Sequence, residues 1–314
     1  MVVENPKYFY SPGKLLLTGE YVVLDGAKSL AIPTTFGQSL KITSIPEQVL
    51  RWQSVDVNNN IWFQADFELD TTSKVVTNST LEVAQRLTQI LQVVCDLNDG
   101  FKDNFKGTLA ITELEFPNNW GLGSSSTLIN NLANWAQVDA FKLLKQTFGG
   151  SGYDIACAQH RAPILYQLND GLNISKEVSF KPSFHKVLFF VYLNKKQNSR
   201  DSIKHYRSVP KDTLRNVLSK ISKLTERVLT ANSVQEFSDT LNKHETIISQ
   251  LIKTPTIKEQ LFSDYPKTIK SLGGWGGDFV LVVGNPEDKI YFKEKGYHTI
   301  LSFAEMVALK NLQL

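Results

Sequence analysis

Cysteine is nearly absent: a chain of 314 residues has two, Cys95 and Cys157. They are far apart and show no metal-type spacing, so they support neither a disulfide framework nor a zinc site, and both read as reduced, half-buried core thiols. Long apolar runs are also lacking. Stretches such as 187–193 are too short to cross a bilayer, and Met-Val-Val-Glu-Asn-Pro-Lys at the start is not a basic segment leading into an apolar one. These absences point to a cytoplasmic protein with no membrane partner. Charge of one sign is missing too. The 34 Lys and Arg against 31 Asp and Glu leave +3, too little to argue for nucleic acid, although it suits small anionic ligands. What is present, 42% hydrophobic and 21% charged residues, is an ordinary globular composition, long enough for a large core and two domains. A monomer or homodimer is expected.

Against that background Pro117-Asn118-Asn119-Trp120-Gly121-Leu122-Gly123-Ser124-Ser125-Ser126-Thr127 stands out. Two glycines and three hydroxyls lie between an alternating, strand-like stretch over 106–115 and a helical pattern of Leu128, Ile129, Leu132, Ala133 and Ala136. Glycine lets backbone N–H groups approach a ligand, and a helix beginning at the serines adds the partial positive charge of its unpaired amides, so phosphate fits here. The spacing is neither that of the Walker loop nor the three-glycine dinucleotide fingerprint. An ordinary turn capped by serine is the competing reading.

Three further stretches carry chemistry. In Ser11-Pro12-Gly13-Lys14-Leu15-Leu16-Leu17-Thr18-Gly19-Glu20-Tyr21, Lys14 stands before a buried-looking leucine run, an awkward place for a solvated lysine. In Gly149-Gly150-Ser151-Gly152-Tyr153-Asp154, Ser151 or Asp154 suits a helix cap. Residues 265–283 form a glycine-rich loop, with Gly276-Gly277-Asp278, running into an apolar strand. Elsewhere the pattern gives strands over 40–67, 163–168 and 186–192 and helices over 79–97 and 139–147. It gives a mostly helical scaffold with solvated charges over 202–253. Trp52 and Trp62 suit either strand packing or an adenine pocket, and the charged segment 194–202 either a solvated loop or an anion-binding one, to which His160 and Arg161 can add.

Pro-x-x-x-Gly-Leu-x-Ser-Ser resembles the central motif of the GHMP kinases, the superfamily of galactokinase, homoserine kinase, mevalonate kinase and phosphomevalonate kinase. Pro12-Gly13-Lys14 followed by Gly19-Glu20 is similar to its first motif, and residues 271–278 to its third, with Leu272 and Trp275 interrupting the pattern. The resemblance implies an α+β, two-domain fold: an N-terminal ATP-binding domain (1–180) like the second domain of ribosomal protein S5, and a ferredoxin-like C-terminal domain (181–314). It implies ATP and Mg2+. Gly121, Leu122, Gly123, Ser124, Ser125 and Ser126 would hold phosphate, with the Ser125 hydroxyl on the metal. Lys14 and Asp154 would be catalytic beside the acceptor, and Ser151, Gly152, Lys196, Arg200, Gly276 and Gly277 would line the acceptor. One departure is clear: mevalonate kinases place a magnesium-binding Glu before this Asp, yet no Glu occurs between Glu115 and Glu177. Together with Gly19-Glu20-Tyr21 and Gly150-Ser151-Gly152-Tyr153-Asp154, this favours phosphomevalonate over mevalonate as acceptor. A diphosphomevalonate decarboxylase of the same fold, or a non-catalytic binder on that scaffold, are the alternatives.

Overall fold

The structure is a computed structural model and describes residues 5–210 and 214–308. Residues 1–4 of the N-terminal stretch and 211–213 of the expected helical scaffold lie outside the described residues. In chain order the strands and helices are β1 (Lys7–Thr18), β2 (Ser29–Ser44), β3 (Leu50–Val55), β4 (Ile61–Leu69), β5 (Val75–Val76), α1 (Glu82–Leu97), β6 (Thr108–Leu114), α2 (Ser124–Ala136), α3 (Ala140–Thr147) and α4 (Tyr153–Ala158). They continue with β7 (Ile164–Asn169), β8 (Leu172–Glu177), β9 (Leu188–Tyr192), α5 (Ser199–Arg207), α6 (Leu214–Thr230), α7 (Val234–Ile252), α8 (Ile257–Leu261), β10 (Ile269–Ser271), β11 (Phe279–Val283), α9 (Asp288–Glu294), β12 (Ile300–Ser302) and α10 (Phe303–Met306). The chain divides into two compact units, Met1–Gly13 with Phe36–Asn118 and Gly123–Gln159, and Lys14–Thr35 with Asn119–Leu122 and His160–Leu314.

In the first unit the strands run in the order β5-β4-β3-β6-β2. All pairs are antiparallel except β3 with β6, whose parallel register sets Trp52 opposite Ala110. Alternation along β3 buries Leu50, Trp52 and Ser54, and α1 turns Ala84, Leu87, Leu91 and Val94 into the same core, as its 3.6-residue spacing dictates. Burying one such aliphatic or aromatic side chain is worth roughly 1.5–3 kcal/mol. Trp52 is therefore core packing, 1% exposed, whereas Trp62 is 44% exposed. The two thiols are more deeply buried than expected, Cys157 at 0%. Burial also pushes the Cys95 thiol up to about 11, so it stays protonated and inert at neutral pH.

In the second unit Ser29–Ala31 of β2 pairs with β7, and β7 with β8, through a two-residue turn in which Asp170 and Gly171 both take left-handed φ, 49° and 79°. A separate antiparallel sheet has the order β10-β11-β9-β12. Its central strands, Leu-Phe-Phe-Val-Tyr and Phe-Val-Leu-Val-Val, are buried at every position, because apolar clusters cover them. Helices α6 and α7 contribute Ile221, Leu224, Ile248 and Ile252 to a cluster that includes Trp275. Among the described residues no helix is long and apolar enough to cross a membrane.

Candidate active site

The site residues expected from the sequence fall into two groups, by unit. Gly123, Ser124, Ser125, Ser126, Ser151, Gly152 and Asp154 belong to the first, and Lys14, Gly121, Leu122, Lys196, Gly276 and Gly277 to the second. Arg200 lies in the first turn of α5, but its side chain is outside the described residues.

In the first unit α2 starts as expected at Ser124, with Gly123 as N-cap at φ 90° and ψ 40°. The N-cap is a glycine, so no oxygen of the capping residue's own side chain claims the first amides. Two of the serines are committed locally: Ser126 Oγ donates to the Gly123 carbonyl (2.8 Å) and Ser124 Oγ to Asn118 Oδ1 (3.2 Å). Ser125 is exposed. The helix is held in place by a buried polar ladder. Thr127 Oγ1 donates to Gln38 Oε1 (2.7 Å), Asn131 Nδ2 to the Gln38 carbonyl (2.8 Å), Ser11 Oγ to Asn131 Oδ1 (2.7 Å) and Asn130 Nδ2 to Ser11 Oγ (2.9 Å). Asn130 Nδ2 also reaches the Ala158 carbonyl of α4 (3.4 Å), so the helix carrying Asp154 is tied to the serine helix. Asp154 lies in the first turn of α4, after Gly152 at φ 84°, and Asp154 Oδ1 accepts the Ile155 N–H (3.1 Å). Ser151 is 7% exposed.

In the second unit the first motif meets the loop directly. Lys14 Nζ donates to the Gly121 carbonyl (2.9 Å) and the Lys14 N–H to the Leu122 carbonyl (2.9 Å), which explains a lysine among buried leucines. Gly121, at φ 69°, has no room for a side chain, since a β-carbon there would stand 2.2–2.4 Å from the Asp278 carboxyl atoms. Asp278, itself at φ 56°, closes the third glycine run. Gln197 N–H donates to Asp278 Oδ1 (3.1 Å), Asp278 N–H to the Lys195 carbonyl (2.6 Å) and Leu193 N–H to the Asp278 carbonyl (2.8 Å). Burial raises the Asp278 carboxyl above its ordinary value, opposed by Lys14, the Gln197 N–H and Lys196. The third-motif glycines pack against the 195–202 segment: a β-carbon at Gly277 would meet the Lys195 carbonyl at 2.5 Å, and one at Gly274 the Ser202 hydroxyl at 2.7 Å. Asp278 closes the recognisable Gly-Gly-Asp of that run, but only its place against Gly121 gives it a part in the site.

Behind the first motif lies a group that the sequence pattern hides. Glu20, His244, Glu245 and Lys270 are all buried, Lys270 and His244 fully. Lys270 Nζ bonds Glu20 Oε1 and stands 3.1 Å from Glu245 Oε1, while Glu245 Oε2 accepts from Ser271 N–H (3.0 Å) and Oγ (2.6 Å). Gly19 N–H donates to His244 Nε2 (2.9 Å), which requires that nitrogen to be unprotonated. Accordingly burial, and then Lys270, hold the His244 pKa well below its usual value. His244 and Glu245 thus correct the expectation that 202–253 carries only solvated charges: α7 carries two buried ionisable side chains among its apolar ones.

The donors suit magnesium carried on a phosphate chain. The first-turn amides of α2 and the exposed Ser125 hydroxyl can take phosphate oxygens and one metal position. Among the described residues no group of three His, Cys, Asp or Glu side chains could hold a metal unaided. A cavity of about 330 Å³ lined by Gln64, Asp66, Glu68, Val76, Thr77 and Ser79 lies elsewhere in the first unit and contains none of the expected residues.

The chain has the fold of the GHMP kinases. Among solved structures it is similar to Streptococcus pneumoniae phosphomevalonate kinase in complex with phosphomevalonate and AMPPNP (TM-score 0.67, 16% identity, 95% of this chain and 100% of that one). It is also similar to L. major mevalonate kinase in complex with R-mevalonate (0.66, 15%, 94% and 94%). A third similar structure is Lactococcus lactis galactokinase complexed with galactose (0.69, 13%, 99% and 96%). No protein-family model matches the chain, and no curated protein does.

Proposed function

We propose that this chain is a cytoplasmic, ATP-dependent small-molecule kinase that transfers the γ-phosphoryl group to a mevalonate-pathway intermediate, phosphomevalonate in preference to mevalonate. The observation that carries this reading is the bond from Lys14 Nζ to the Gly121 carbonyl, which joins the first motif to the Gly-Leu-Gly-Ser turn. On this reading residues 1–180 form the ATP-binding domain and 181–314 the C-terminal domain.

Phosphoryl transfer depends on positioning and charge neutralisation more than on covalent chemistry. Magnesium on the phosphates would neutralise charge on the transferred group. The amides at 124–126 would hold the phosphates, and the Ser125 hydroxyl would hold the metal. Lys14 stabilises negative charge on the attacking oxygen and the transferred group. Asp154 takes a proton from an alcohol acceptor, or orients a phosphate acceptor that needs no base. Lys196 and Arg200 pair with acceptor anionic groups, alongside Ser151, Gly152, Gly276 and Gly277. The preference for phosphomevalonate rests on Gly19-Glu20-Tyr21, the Gly-Ser-Gly-Tyr-Asp run and the missing glutamate.

The test is ADP release with mevalonate, phosphomevalonate and diphosphomevalonate in turn. Turnover of the second is expected, carbon dioxide release with the third would make the chain a decarboxylase, and no turnover with any would defeat the kinase reading. Lys14→Met should lower kcat with either acceptor. Asp154→Asn should cost roughly 10²–10⁴ in kcat if an alcohol is the acceptor and less if a phosphate is. Full activity in both variants would remove the catalytic assignment.

A further inference from the structure

Asp278 has more invested around it than a loop-closing residue needs. Its carboxyl group occupies the space over Gly121 that any side chain there would fill. One oxygen is fixed by the Gln197 N–H, its own N–H binds the Lys195 carbonyl, and its carbonyl binds the Leu193 N–H. The same segment is held a second time, since Gln197 Nε2 donates to Ser202 Oγ (2.9 Å) and Ser202 Oγ to the Gly274 carbonyl (3.1 Å). The backbone is kept at φ 56°, a conformation that Asp tolerates better than most residues but that costs energy unless its surroundings impose it. The cations acting on this half-buried carboxylate are Lys14 on β1 and Lys196 on the fastened segment. One acid thus touches the turn that receives Lys14 and the segment that carries Lys196.

We propose that Asp278 is a positioning residue: its carboxylate fastens the 195–197 segment to the Gly121 turn, so that Lys14 and Lys196 are presented to the acceptor in one fixed arrangement. The carboxylate does not take part in the transfer itself. Its charge attracts the two ammonium groups, and its Oδ1 holds the segment.

The kinetic part of the test rests on the kinase reading above. Asp278→Asn keeps an oxygen for the Gln197 N–H but loses the charge, so kcat should fall about tenfold with the acceptor KM within about threefold of wild type. Asp278→Ala loses both, so the acceptor KM should also rise about tenfold while the KM for ATP stays within about twofold. A residue serving only stability would lower the melting temperature of both variants without separating kcat from KM. Gly121→Ala should be markedly less harmful in the Asp278→Ala background than in wild type, because the clash is with the carboxyl group. Should the wild-type chain turn over none of the three acceptors, the kinase reading fails and amide exchange of the folded full chain decides this proposal. Gln197 N–H should exchange at least tenfold faster in Asp278→Ala and within about threefold of wild type in Asp278→Asn. Unchanged exchange in Asp278→Ala, or an acceptor KM and kcat within twofold of wild type in an active enzyme, would overturn it.

Discussion

Gly123 and Ser125 are neighbours but one in sequence, yet their loss should act by different routes. Valine at Gly123 would force a β-branched side chain into φ 90° at the turn that the proposed kinase reading assigns to phosphate. Gly123→Val should therefore lower kcat/KM for ATP by 10²-fold or more. Ser125→Ala removes one exposed hydroxyl and should cost less, roughly tenfold, with no change in melting temperature. Wild-type ATP turnover in Gly123→Val would show that this turn does not receive phosphate. At this scale the sequence is most explicit where glycine is indispensable. The Gly-Leu-Gly-Ser spacing marks the turn unaided, but the reason for Gly121 is a carboxylate supplied by Asp278, far along the chain, and no local pattern reveals it.

At the scale of elements, helix α2 is legible from its apolar spacing and its glycine start, and the strands over 40–67 and 163–168 from their alternation and turns. What spacing does not convey is how α2 is aimed. Asn130 and Asn131 sit inside the helix as polar residues with no evident purpose, and their burial at 2% and 0% becomes sensible only once Ser11 and Gln38 are beside them. Asn131→Ala would leave the Gln38 carbonyl and Ser11 hydroxyl without those partners, at a cost of about 1–3 kcal/mol in urea unfolding. Because the ladder aims the helix, the KM for ATP should rise with it, and an unchanged KM would confine the ladder to a stabilising role. Strand β8 is less legible: Leu172 and Ile174 face outward, 67% and 48% exposed, so the usual inside–outside pattern is weak there, although Asp170-Gly171 is a hairpin signal in its own right.

For the molecule as a whole, the buried Glu20–Lys270–Glu245–His244 group is the part least visible in sequence, since a lysine, a histidine and two acids read as surface until their partners are known. It predicts a particular response to acid. The His244 pKa in the folded state lies well below its ordinary 6.5. The associated stability is therefore complete above about pH 6.5 and is lost as pH falls toward the folded value, at up to roughly 1.4 kcal/mol per pH unit. Glu20, whose carboxyl is held high by burial, works in the opposite sense, so the informative quantity is a difference between proteins. Between pH 7 and 5 wild type should lose more stability than His244→Gln, whose amide oxygen can still accept the Gly19 N–H; equal slopes in urea titrations would mean that His244 is not the titrating group. The separation of these partners also bears on synthesis. Residues 14–35 leave the ribosome before their partners: β7 follows only at Ile164, His244 later still, and Lys270 is 250 residues beyond Glu20. The first unit has all its segments once Gln159 has emerged. Until Lys270 has been made the second carries a carboxylate meant for a dry interior with no counter-ion yet present, so residues 14–35 must wait in water, and any chaperone attending the nascent chain would meet them there.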